Sequence, residues 1–253
     1  MGFQHLGSFY GAAPVVRKML VGADTYVGQL LAHDGSGYGH VKPCTAAAAG
    51  PDTTMRIVGI CVGVNAASPS YSSSYGGDFA DYDSSQADQL ANDPKGGVEV
   101  LVAEIHPGDK IKAPICVTSL GTAPTVLTAS STDAAGDDIA HASNVITSPV
   151  SLFSTIYCRT RANRGLSRII TAGSTADQDV DGVMFPYDIA VGDTFVAASL
   201  KLGYSEFDII STQNAFEAFW ASNYFEGFCH DLNLEVAGAE YAVLSINPKH
   251  LAG

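Results

Sequence analysis

Short aliphatic and β-branched runs, each closed by glycine, proline or aspartate, recur along the whole chain. Runs of this length cannot nucleate a helix alone, and their turn-forming borders fit pleated strands. Val15 to Leu20, Thr25 to Leu31, Arg56 to Val64, Val98 to Ile105 and Lys110 to Val117 all read this way. So do Ser151 to Arg159 with Leu166 to Ala172, the strand-rich stretch Phe185 to Leu200, and a hairpin over Leu234 to Ile246. One stretch departs from the pattern. Asn214 to Phe225 sets Ala215, Phe216, Phe219, Trp220 and Asn223 three and four residues apart, which predicts a short C-terminal amphipathic helix. The fold class is mainly β: a β-barrel or sandwich core with long loops.

Gly-Asp corners precede several strands. Pro107-Gly108-Asp109 leads into Lys110, and Val191-Gly192-Asp193 leads into Thr194 and Phe195. Val21-Gly22-Ala23-Asp24 is a looser echo. Glycine admits the positive φ that tight turns demand, so these corners predict repeated hairpin ends.

The predicted organisation has three parts. Residues 1–14 are glycine-rich and carry Phe3, Phe9 and Tyr10. They read as an extended N-terminal arm lying on a neighbouring subunit or across its own domain. Residues 15–148 form a β domain with a long loop at 68–97, which has a short helix near Ser84 to Ala91. Residues 149–253 form a second β-rich half, or a continuation of the same domain.

Composition narrows the function. The formal net charge is −13, with 13 Lys and Arg against 26 Asp and Glu. Counterion release on nucleic acid and adhesion to anionic lipid both need the opposite balance, so neither partner is expected. No apolar run is long enough to span a bilayer, and the first residues lack a signal peptide's basic and apolar segments. Charged residues make up only 15% of the chain, which suits a surface largely covered by other subunits. The five cysteines, including Cys61, Cys116 and Cys158 inside apolar runs, form no CxxC pair and read as buried free thiols.

No nucleophile elbow, Walker loop or dinucleotide fingerprint occurs, and His33, His40 and Cys44 match no zinc spacing. No catalytic residue is nominated. Two constellations stand out. Asp177-Gln-Asp179-Val-Asp181-Gly182, followed by Asp188, has the spacing of a calcium loop with aspartate at its last position. Asp177, Asp179, Asp181 and Asp188 are therefore candidate ligands for Ca2+, alongside the reading of a solvated acidic turn. Arg159, Arg161, Arg164 and Arg168 place four of the six arginines in ten residues. They form a candidate docking patch for an acidic surface, or a solvated turn. Trp220, within the run Phe216, Phe219, Tyr224, Phe225 and Phe228, is a further candidate interface residue.

Val21-Gly-Ala-Asp-Thr-Tyr-Val-Gly-Gln-Leu-Leu31, Arg56-Ile-Val-Gly-Ile-Cys-Val-Gly63, and Val98-Glu-Val-Leu-Val-Ala-Glu-Ile105 with Pro107-Gly-Asp-Lys-Ile-Lys-Ala-Pro-Ile115 resemble phage virion proteins. The nearest family is the head decoration, or cement, proteins of tailed bacteriophages. The resemblance covers roughly residues 15–118 in style rather than by a diagnostic motif. It implies a homo-oligomer, with a trimer favoured, assembled in the host cytoplasm. It would sit on the outer capsid surface and bridge major capsid proteins. It implies no catalytic residues. A tail, neck or fibre component and a carbohydrate-active β protein are the rival expectations.

Overall fold

The computed structural model describes residues 2–8, 11, 13–33, 40–44, 56–65, 79–80, 99–115, 125–142, 155–180, 182–198, 200, 202–212, 215–220 and 225–252. In the first part of the chain the strands are β1 (Gln4–Ser8), β2 (Val16–Leu20), β3 (Thr25–Tyr26), β4 (Leu30–His33) and β5 (Val41–Pro43). Then come β6 (Ile57–Val64), β7 (Phe79–Ala80), β8 (Glu99–Glu104), β9 (Asp109–Pro114) and β10 (Thr125–Thr128). The remainder comprises β11 (Asp138–Ala140), β12 (Thr155–Cys158), β13 (Ser167–Ile169), β14 (Ala172–Gly173) and β15 (Asp177–Asp179). It ends with β16 (Thr194–Ala198), β17 (Gly203–Thr212), β18 (Ala215–Trp220), β19 (Phe225–Asn233) and β20 (Tyr241–Ile246).

All strand pairing between these elements is antiparallel. The sheets run β1-β9-β20-β19-β17-β18, β2-β8-β6-β4-β5, β10-β16-β12-β13 and β11-β15-β14, with β3 and β7 as a separate pair. The fold is mainly β, as expected, but none of these sheets closes into a barrel.

The core explains the layering. Side chains from three sheets meet in one cluster: Leu30 and Ile60, Ile111 and Leu244, and Val196 and Ala198. The opposite face of the five-stranded sheet packs Leu31, Cys61, Val100 and Val102 into a second cluster. Strand β16 also faces two ways, since Phe195 and Ala197 join Leu127, Ile139, Ile156 and Phe185 in a third. Strands covered on both faces read as unbroken apolar runs, which is why β6 and β16 were legible.

Several expectations need correction. The C-terminal helix is absent over Ala215–Trp220, which is strand β18 paired with β17, Trp220 lying opposite Phe207. Its aromatic residues favour pleated backbone, and pairing overrides a weak helical period. The arm does not project. Gln4–Ser8 pairs with β9, the Phe3 amide donates to the Gly28 carbonyl at 2.9 Å, and the Phe3 ring is only 3% exposed in the chain's own core. Of the two expected placements for residues 1–14, the described part lies across its own domain, with Phe3 buried in that domain's core. Phe9 and Tyr10 lie outside the described residues. The boundary at 148 does not separate the sheets, three of which take strands from both sides of it: β9 pairs with β20, β10 with β16 and β11 with β15, in line with the expected alternative of one continuing domain. Most of loop 68–97 and its expected helix lie outside the described residues, though Phe79–Ala80 pairs with Thr25–Tyr26.

The Gly-Asp corners are two copies of one turn. The Asp109 amide donates to the His106 carbonyl at 3.0 Å, while Asp109 Oδ2 accepts from the His106 amide at 2.8 Å. Asp193 repeats both bonds with Ala190, each at 2.9 Å. Gly108 and Gly192 both have φ of 86°, the third position of a type II turn. A third copy lies at Tyr26-Val27-Gly28-Gln29, where Gln29 Oε1 accepts from the Tyr26 amide at 2.6 Å. This turn splits the expected strand Thr25 to Leu31 into β3 and β4. The looser echo at Val21 to Asp24 is not one of the copies.

Candidate functional site

The β12–β13 hairpin and the loop from Gly182 to Asp193 form one surface. The hairpin turns through a 3-10 segment at Arg161–Asn163. Asn163 is buried and clamps the loop from both sides of one residue: its Nδ2 donates to the Tyr187 carbonyl at 2.8 Å, and its Oδ1 accepts from the Tyr187 amide at 3.2 Å. Arg168 Nε donates to the Met184 carbonyl at 2.8 Å, and its guanidinium lies 5.0 Å from the Phe185 ring centre. On the far side, the Phe185 amide donates to the Gly136 carbonyl, and Asp133 and Ile189 exchange backbone bonds.

This loop buries Phe185 and Ile189, yet leaves Val183 68%, Met184 51%, Tyr187 58% and Val191 55% exposed. Its backbone is held by hydrogen bonds on both flanks. The exposed side chains therefore sit on a fixed platform rather than a loose loop. Beside it, Thr155, Ser167, Arg168, Ile169, Val183 and Leu202 line a mostly apolar groove of about 520 Å³.

The arginine cluster is mostly neutralised within the chain. Arg159 Nη2 meets Glu240 Oε1 at 2.6 Å, and its Nε donates to the Leu234 carbonyl at 2.7 Å. Arg161 Nε lies 3.4 Å from Asp193 Oδ1, and Arg164 Nη2 lies 2.8 Å from Glu235 Oε1. Only Arg168 among the four has no carboxylate partner among the described residues. The structure thus breaks the four-residue patch into three internal ion pairs and one guanidinium at the groove.

Asp177 and Asp179 lie two apart on β15, so their side chains share a face. Asp138 stands opposite Asp179 in the register, and ligand atoms of all three fall within 4.8 Å of one another. Burial raises the Asp138 carboxyl above its ordinary value, and Asp179 and Asp177 push it further. Asp188 is exposed in the loop, and Asp181 lies outside the described residues. Sequence spacing found two members of this group. Asp138 was missed because only strand pairing brings it there. Trp220 is on the edge strand β18, remote in strand order from this surface.

A second cavity, of about 420 Å³, is lined by Arg17, His33, Glu104 and His106 with Met19 and Pro248. Arg17 Nε holds Glu104 Oε1 at 3.0 Å there. The cysteines match their expected role: Cys44, Cys61, Cys158 and Cys229 are buried and unbridged, and burial pushes the Cys229 thiol up to about 12. Cys116 lies outside the described residues. No helix among the described residues is long and apolar enough to cross a membrane. No family model, curated protein or solved structure matches this chain.

Proposed function

We propose that this chain is a structural virion protein that binds the outside of a phage capsid and stabilises it by bridging major capsid proteins. The observation that carries this reading is the fixed apolar platform of Val183, Met184, Tyr187 and Val191. Exposed apolar side chains on a braced backbone offer a partner hydrophobic area at little ordering cost. The low charge content supports the same reading, as does the internal neutralisation of Arg159, Arg161 and Arg164. The proposed partners are the major capsid protein and further copies of this chain, with a trimer favoured. The proposed location is the capsid surface, after assembly in the host cytoplasm. Calcium is assigned a structural role only, at Asp138, Asp177 and Asp179.

Co-sedimentation of purified chain with expanded capsids of the phage that encodes it tests the reading, alongside mass photometry of the free chain. Saturable binding at fixed stoichiometry is expected. A chain that stays monomeric and leaves the capsids bare refutes the proposal, whereas labelling at the tail or neck would reassign it there.

A further inference from the structure

Strand β13 ends the four-stranded sheet, and no strand lies beyond it among the described residues. The direction of its free groups follows from the ladder. The Cys158 amide donates to Leu166 and the Gly165 amide to Cys158, so the next bonded pair is Ile156 with Arg168. Ser167 and Ile169 therefore turn their amides and carbonyls away from β12. The Ser167 carbonyl accepts from Arg168 Nη1, which leaves the Ser167 amide and both backbone groups of Ile169 without a partner among the described residues. Exposed Ile169, Val183 and Leu202 flank this edge along the groove, and Arg168 supplies its positive charge.

The geometry points to β13 as a docking edge for an extended segment of a partner protein in which one acidic residue stands between apolar ones. The partner's backbone exchanges bonds with Ile169, its carboxylate meets Arg168, and its apolar side chains fill the groove beside Val183 and Leu202. This is strand addition, with main-chain bonds giving affinity and side chains giving choice. Charge complementarity selects the occupant, because among the described residues Arg168 alone of the local arginines lacks a carboxylate. A second copy is disfavoured. Two-fold pairing of β13 on itself about its middle residue sets Arg168 opposite Arg168, and like charges directly across a ladder repel. So short an edge binds weakly once, and many copies on one assembly would add by avidity. The inference does not depend on the virion reading.

The test uses the full chain and capped seven-residue peptides alternating valine and threonine, fluorescently labelled, read by anisotropy. The peptide with a central aspartate is expected to bind saturably. One with central lysine should bind at least tenfold more weakly, and one with N-methylated backbone should not bind. Arg168→Glu should invert the aspartate-over-lysine preference. Val183→Asp, at an exposed site outside the core, should weaken binding of the aspartate peptide even if Arg168→Glu folds poorly. Equal binding of aspartate and lysine peptides, no saturation at millimolar peptide, or retained preference in Arg168→Glu overturns the proposal. Concentration-dependent dimers that exclude the peptide would place a second copy on the edge and overturn it too.

Discussion

Arg159 and Glu240 form a nearly buried ion pair at 2.6 Å, their side chains 12% and 6% exposed, that ties β12 to the chain just before β20. The two residues come from opposite ends of the C-terminal half and connect different sheets. Removing one partner strands the other charge in a poorly solvated site, at a cost of about 3–5 kcal/mol. Arg159→Met and Glu240→Leu should each lower the urea midpoint strongly, while the double variant recovers most of the loss. Equal losses that simply add would show that the pair is not coupled.

Asp109 anchors both its own turn and the N-terminal strand. The Gly7 amide donates to His5 Nδ1 at 2.9 Å, so His5 Nε2 carries the hydrogen and donates to Asp109 Oδ2 at 3.0 Å. Asp109→Ala leaves that N–H and the His106 amide without an acceptor. The expected cost is roughly 2–4 kcal/mol, with early hydrogen exchange in residues 4–8. Protection of β1 unchanged in this variant would contradict the anchoring role.

Two glycines separate steric from conformational demands. A Cβ on Gly59 would lie 2.2 Å from the Ala103 carbonyl oxygen, so Gly59→Ala should prevent β6 and β8 from pairing and abolish soluble folding. Gly182 has φ of 95° with nothing within 4 Å of its would-be Cβ. Gly182→Ala should cost only about 1 kcal/mol, from backbone strain alone. Thermal melts distinguish the two, and similar losses would contradict the close approach at Gly59.

Neighbouring aspartates should respond oppositely to pH. Burial, then Asp179 and Asp177, raises Asp138 above 3.8, so its ionised form weakens the fold at neutral pH. That penalty is relieved as pH falls through the folded pKa. At Asp133 burial is outweighed by the amides of Asp138, Ala135, Asp137 and Gly136, which lower its pKa. Its stabilisation is present above 3.8 and disappears as pH falls through the lower folded value. Asp138→Asn should therefore raise Tm at pH 7, with the gain shrinking towards pH 4, and Asp133→Asn should lower Tm at pH 7. Calcium bound as proposed would relieve the same repulsion, so millimolar calcium should raise the wild-type Tm and raise that of Asp138→Asn less. A lower Tm for Asp138→Asn at pH 7 would contradict this account.

The exposed platform should matter for assembly and not for folding. Val183→Ser with Tyr187→Ser should shift stability by no more than about 0.5 kcal/mol each, as ordinary surface changes do. Capsid co-sedimentation should fall at least tenfold. Unchanged co-sedimentation would move the interface elsewhere.

Local chemistry made much of the β structure legible. Gly108 and Gly192 announce their turns because only glycine adopts that φ cheaply, and β6 and β8 announce themselves as mostly aliphatic runs between turn formers. Over Ala215–Trp220, part of the stretch 214–225 whose spacing predicts a helix, aromatic spacing suits both a helix face and a strand, and only pairing with β17 decides between them. The candidate surface was harder to read. Asp177 with Asp179 and the arginine cluster are visible as neighbours in sequence, but Asp138, the Tyr187 clamp of Asn163 and the groove are not.

The chain alone determined that backbone polar groups would be satisfied in short strands joined by tight turns, and that its net charge would be strongly negative. Tertiary structure decided which charges cancel and which stay available. Arg159, Arg161 and Arg164 look equivalent to Arg168 in sequence, yet long-range strand pairing brings carboxylates to the first three and an apolar groove to the fourth. Coulomb interactions act over distances in space, and antiparallel sheets join residues whose separation along the chain carries no record of that meeting.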